Sequence, residues 1–201
     1  MSIKGSSEPV LTLFRRHRDA FAATVIALIA LVICVVSLFV FDGVMAILSC
    51  LLGWAMLAIA VEDARHFIIP DYLSLPAVPL GLLVTGLLSS HGHAYQAVLW
   101  HLLAALVAVA GLLIIRQAYR RLRGFEGLGL GDVKLAAAAA AWTGLEGFSI
   151  VLMMACTMAL VVLLAMRLVF ATNVTRRTAL PFGAFLAPAI WLTWTMQQLP
   201  T

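Results

Sequence analysis

Charge is scarce in this chain of 201 residues: Asp, Glu, Lys and Arg make up 11% of it, about half the share found in soluble domains. That shortage excludes an ordinary water-soluble globule, and a mean hydropathy of +1.08 points the same way. Cysteine is scarce as well. Cys34, Cys50 and Cys156 stand singly inside apolar runs, an odd number with no C-x-x-C spacing. Both features argue against a disulfide framework and a zinc site, and the three read as small apolar side chains. The histidines are scattered. His91, His93 and His101 have no carboxylate partner and read as loop or interface residues rather than metal ligands. A dinucleotide fingerprint is absent too: Gly127-x-Gly129 would need a glycine where Asp132 stands, and no strand precedes it.

What the chain has in quantity is long apolar runs, each close to the ~20 residues that cross a bilayer. Seven candidate spans follow, at 20–41, 44–62, 72–90, 95–115, 132–146, 148–166 and 180–198. Between them lie turn formers such as Asp42-Gly43, Pro70-Asp71, the glycines from Gly124 to Gly131, and Glu146-Gly147. The first run exceeds the about 7–15 apolar residues of a signal-peptide core, so it reads as a retained anchor. The fold class is all-α: a polytopic bundle of about seven spans, with residues 1–19 outside it and 20–201 as a single transmembrane bundle. Orientation comes from the basic residues, which concentrate on the cytoplasmic side of membrane proteins. With the N-terminus cytoplasmic, all 13 Lys and Arg fall in cytoplasmic segments or, for Lys134, at the cytoplasmic edge of the fifth span, and the opposite side carries only Asp42 and, at the far edge of that span, Glu146. Removing or adding one span would scramble that segregation. Topogenic charge beside anionic lipid accounts for the net charge of +4 without a nucleic-acid partner.

The acidic residues then carry the question of function. Glu8, Asp19, Asp42 and Glu146 read as solvated turn or tail residues. Asp63 closes the second span and Asp132 opens the fifth, so the topology sets both at one depth on one face although 69 residues separate them. Ionisable residues at the edge of a span are functional candidates. Two carboxylates that meet in a poorly solvated pocket cannot both ionise readily, so one keeps a proton. The ionised one can draw a proton from water attacking a carbonyl while the other protonates the leaving amine. This is aspartic protease chemistry and needs neither metal nor cofactor. In "EGLGLGDVKLAAAAAAW", Gly129 and Gly131 permit backbone angles and close approach, and Asp132 falls at or near the N-cap of the next helix. The alanines 136–141 offer a small-residue face for close helix packing.

That segment resembles the GxGD signature of the type IV prepilin peptidases, membrane aspartic proteases that process pilins and type II secretion pseudopilins. "DARHFIIPDYLSLP" (Asp63 to Pro76) resembles the segment with their other aspartate, and "LPFGAFLAPAIW" (Leu180 to Trp191) a third element of theirs. The resemblance implies that Asp63 and Asp132 are the catalytic pair and that Gly129, Gly131 and Lys134 belong to the signature around the second. It implies a multi-pass protein of the bacterial inner membrane that removes a short basic leader at the cytoplasmic face, with prepilins or pseudopilins as substrates. Glu62, Asp71 and Glu126 are the acidic residues placed to contact such a leader. Asp71 also suits a helix start after Pro70, and Lys134 a snorkelling interface lysine. Many family members carry a large cytoplasmic loop with paired cysteines after the first span and also N-methylate the product. Here Asp42-Gly43 joins the first two spans and no cysteine pairs exist, so the expectation is a peptidase without that methyltransferase module, similar to the short members of tight-adherence pilus systems.

Two competing readings are weighed against this one. A transporter or proton-relay subunit would place carboxylates at mid-membrane depth, and the span interiors here have none. A non-catalytic scaffold of a secretion machine would not need both Asp63 and Asp132.

Overall fold

The computed structural model describes residues 8–89, 92–124, 127–168 and 180–199, with side chains from residue 20 onward. The described residues form six helices and no strand. They are α1 (Glu8–Val40), α2 (Gly43–His66), α3 (Asp71–Leu88), α4 (Ala94–Arg123), α5 (Leu130–Leu168) and α6 (Gly183–Gln197). Five of them are long and apolar enough to cross a membrane, and α6, at 15 residues, is shorter. The protein is a multi-pass membrane protein.

The chain divides into two compact units, Met1–Trp54 and Ala55–Thr201. In the first, α1 and the start of α2 form an antiparallel hairpin. Its turn is tight because Gly43 takes a φ of 55°, which suits a residue without a Cβ. Two polar contacts set the register: Ser37 Oγ donates to Ser49 Oγ at 2.8 Å, both side chains fully buried, and Trp54 Nε1 donates to the Ala30 carbonyl at 3.3 Å. Most apolar side chains of α1 face outward, Phe39 at 88% exposure among them. In lipid that is a solvated surface.

The second unit is built around α5, which packs on α3, α4 and α6. Leu135, Ala136 and Ala138 to Ala141 are completely buried. Methyl-sized side chains let the neighbouring backbones come close, the means by which membrane helices gain dispersion contacts where lipid supplies no hydrophobic drive. Trp142 fills the space beside them. Its indole N–H donates to the Ala77 carbonyl at 2.8 Å and its ring meets Trp194 edge-on at 5.6 Å between centroids. Gly81 makes room for it, since a Cβ there would lie 2.6 Å from Trp142 Cδ1.

The spans expected at 132–146 and 148–166 are the two parts of α5. At ~1.5 Å per residue an unbroken 39-residue helix would be nearly twice the ~30 Å hydrocarbon core. The break falls at Gly144, whose φ of 69° and ψ of −175° belong to a region that only glycine occupies readily. It frees carbonyl groups that a continuous helix would satisfy. His101 Nδ1 donates to the Ala141 carbonyl and Gln197 Nε2 to the Thr143 carbonyl, each at 3.0 Å. His101 is thus a helix-break cap, which agrees with an interface role. The three cysteines are free; Cys34 and Cys50 are half-buried and Cys156 is exposed.

Candidate active site

The functional end of the second unit is where the C-terminal end of α2 meets the N-terminal ends of α3, α5 and α6. Helical spacing decides which of the adjacent acids at 62 and 63 turns inward. Asp63 is 5% exposed. Glu62, one position round the helix, points outward and meets His66 Nδ1 at 3.0 Å. α2 stops just past them at Phe67, which takes a φ of 56° and donates its N–H to the Asp63 carbonyl at 2.9 Å. A left-handed residue at this place commonly ends helices, though it is usually glycine. Ile68, Ile69 and Pro70 then carry the chain into α3.

Asp132 lies in the first turn of α5. It is not the N-cap itself: it is the third helical residue, and its Oδ2 reaches back to accept the N–H of Gly129 at 3.3 Å. This is one half of a capping box, with the acid inside the helix satisfying the amide that flanks it. The two glycines of the signature serve close approach, not the unusual backbone angles also expected of them, since neither has a positive φ. A Cβ on Gly131 would stand 2.9 Å from Ile69 Cβ, and one on Gly129 3.2 Å from Asp132 Oδ2.

Asp63 and Asp132 line one cavity of about 280 Å3, together with Phe67, Ile68, Ile69, Leu130, Asp71 and Lys134. The two carboxyls are near enough for the charge of one to act on the other. Asp71 and Lys134 sit at the cavity as an ion pair, Lys134 Nζ to Asp71 Oδ1 at 2.6 Å, with side chains 59% and 37% exposed. Asp71 is therefore both the first residue of α3 and the partner of Lys134, the lysine read from the sequence as a snorkelling interface residue. Glu62 does not line the cavity. Glu126 lies outside the described residues.

Sequence reasoning missed one contributor. The Ala184 N–H, in the first turn of α6, donates to Asp63 Oδ2 at 2.8 Å, and the Gly183 amide is a second donor. Gly183 is tightly enclosed: a Cβ there would lie 2.6 Å from Ile69 Cδ1 and 2.9 Å from Asp63 Oδ2. Backbone amides leave no mark of their own in a sequence. The available signal was Pro181-Phe182-Gly183, a helix start at which a side chain is missing.

The model of the type IV leader peptidase family matches residues 50–164, more than half of the chain and a stretch that contains both aspartates. The chain belongs to that family. Among curated relatives of this family member is a prepilin leader peptidase/N-methyltransferase of Xanthomonas campestris pv. campestris, 34% identical over 170 residues, 84% of this chain and 57% of the relative. Proteins of the same name from Aeromonas salmonicida and Pseudomonas aeruginosa are each 32% identical, over 82% and 71% of this chain and 54% and 47% of their own length. The chain thus spans about half the length of the curated relatives it matches. No solved structure is a significant match.

Proposed function

We propose that this leader peptidase family member is an aspartic endopeptidase of the bacterial inner membrane, cutting the short basic leader from type IV prepilins or pseudopilins at the cytoplasmic face. The observation that carries the reading is the convergence of Asp63 and Asp132 on one cavity from sequence positions 69 residues apart. Both are buried, in a setting where water screens poorly and two neighbouring anions repel strongly. The pair therefore holds one proton between them. A water in the cavity gives a proton to the ionised carboxylate as its oxygen attacks the scissile carbonyl. The protonated carboxyl hydrogen-bonds the carbonyl oxygen, then protonates the departing amine as the C–N bond breaks. The pair ends with one proton again, so both acid and base come from the chain itself.

Location supports the substrate class. The 13 basic residues fall in segments assigned to the cytoplasmic side or, for Lys134, at the cytoplasmic edge of the fifth span, the side to which the cavity opens in that topology. A substrate with a basic leader and an apolar helix would keep its helix in lipid and present the junction at this depth. Asp71, at the cavity, is the acid best placed to meet the leader. The reading includes peptidase action without methyl transfer, because only Phe41 and Asp42 connect α1 and α2, where a cysteine-bearing module would be inserted.

The test is co-expression with a candidate prepilin, comparing wild type with Asp63→Asn and Asp132→Asn separately. Each variant is expected to reach the membrane at normal levels and leave the leader uncut. Normal processing by either would refute the paired-acid mechanism. Transfer of a methyl group from S-adenosylmethionine to the cut product by the purified protein would refute the peptidase-only reading.

A further inference from the structure

Proceeding from the paired-acid reading, we infer that the first turn of α6 divides the labour of the pair: its amides hold Asp63 as the ionised base, and Asp132 carries the proton as the acid. The two carboxyls have unequal support. Asp63 receives the Ala184 N–H at 2.8 Å and the Gly183 N–H as a second donor, from a helix whose N-terminus points at it. Charge-assisted N–H···O bonds to a carboxylate fall at about 2.7–2.9 Å, and a helix N-terminus adds a positive end to them. Asp132 receives the Gly129 N–H at 3.3 Å, outside that range.

The positions of the carboxyls on their own helices run the other way. Asp63 is in the last turn of α2, where carbonyl dipoles oppose an anion, and Asp132 is in the first turn of α5, where they favour one. The aimed Ala184 donor at 2.8 Å outweighs this diffuse field, because a direct hydrogen bond to a charge acts at shorter range. The remaining charges leave the ranking intact. From α5 and α3 the cavity receives Lys134 and Asp71, which neutralise each other. Glu62 and His66 on α2 pair with each other away from it. α6 brings no ionisable side chain, only its backbone.

Ala184 is a positioning residue in this scheme, acting through an amide that one substitution removes. Proline fits the backbone of a first helical turn, and here it replaces the N–H shared by Asp63 Oδ2 and the Pro181 carbonyl with a ring Cδ turned toward the carboxylate, so it removes the donor and sets apolar carbon against the anion. With the full chain in lipid vesicles and a prepilin substrate, Ala184→Pro is expected to move the rising, acid-side limb of the pH–rate profile upward by about one pH unit, a tenfold change in the proton affinity of the base, and to leave the falling limb in place. Movement of the falling limb alone, or of neither limb, overturns the assignment.

Infrared titration of the side-chain carbonyl bands provides a reading that does not need turnover, since single variants uncouple a pair that otherwise titrates as a unit. Asp63 in the Asp132→Asn protein is expected to lose its proton at lower pH than Asp132 in the Asp63→Asn protein. Adding Ala184→Pro should raise the first value and not the second. The opposite order, or no response to Ala184→Pro, refutes the inference. Failure of the wild-type protein to cut any prepilin would instead refute the peptidase reading and leave the infrared result standing.

Discussion

Replacing Gly183 by alanine adds one methyl group at the place where α6, Ile69 and Asp63 meet. An ideal Cβ there falls 2.6 Å from Ile69 Cδ1, 2.9 Å from Asp63 Oδ2 and 3.0 Å from Asp63 Cγ. Non-bonded carbon atoms rest at about 3.5–4.0 Å. The Ile69 contact involves the far end of a flexible side chain, which can rotate away. The carboxyl has less freedom, because the Ala184 N–H holds the same oxygen at 2.8 Å. Relief therefore needs a shift of about 0.5–1 Å in Asp63, in the α6 start, or in both. Displacement on that scale lowers rates about a hundredfold when reacting groups must align. Folding stability responds differently. Alanine is favoured over glycine inside helices by about 1 kcal/mol, which offsets much of the about 1–3 kcal/mol expected from overpacking. The predicted signature is a fall in kcat of about a hundredfold, with the protein inserted normally and melting close to wild type. Leader removal followed by mobility shift in reconstituted vesicles measures the first, and tryptophan fluorescence against temperature the second. Gly111→Ala is the matched control: nothing lies within 4 Å of its added Cβ, so activity should be unchanged and stability equal or higher. Wild-type turnover by Gly183→Ala would show that this close approach has no part in holding the site.

The Asp71–Lys134 pair is largely exposed, so Asp71→Asn and Lys134→Gln should each lower stability by no more than about 1 kcal/mol. A double-mutant cycle on cleavage of substrates with basic and neutralised leaders should show the loss from Asp71→Asn confined to the basic one; equal losses on both would remove Asp71 from leader recognition. Gly144→Ala should destabilise by about 1–3 kcal/mol, because the backbone there suits only glycine, and a melt unchanged from wild type would refute that account of the break. His101→Ala should cost about 0.5–1.5 kcal/mol by removing the shorter of two hydrogen bonds to the Ala141 carbonyl and leaving Thr85 Oγ1 at 3.5 Å as its donor, read as a lower Tm with cleavage retained at low temperature. Phe67→Gly relieves a left-handed residue of about 1–2 kcal/mol of strain and should raise the melting temperature; a fall would mean that the exposed Phe67 ring contributes packing.

The membrane class, the apolar segments and the two inward acids were legible in the sequence because each rests on a strong local signal. Apolar runs need length alone, and a carboxylate beside such a run stands out against a background of 11% charge. The joining of two expected spans into α5 was less visible, since it turns on one dihedral pair at Gly144 while Glu146-Gly147 offered the more conspicuous turn. The inward choice of Asp63 over Glu62 followed from where helix α2 ends. The α6 amides were not legible at all. A donor on the main chain is present at every position but proline, so only the fold reveals which ones meet a carboxylate across 121 residues of sequence. Pairing of Asp71 with Lys134 was hidden for the same reason: both were noticed singly, and only α3 packing on α5 joins them.

The run of methyl groups along α5 leaves the stem of the second unit with no slack. Ala138 to Ala141 have zero exposure, and any larger side chain there must push whole helices apart rather than settle into spare volume. If the chain cuts leaders as proposed, adaptation to a different one is thereby steered away from the buried shaft and toward the rim, where the exposed Phe67 and Ile68 and the largely exposed Asp71–Lys134 pair leave room for exchange. A protein made this way can vary its rim while keeping its skeleton fixed.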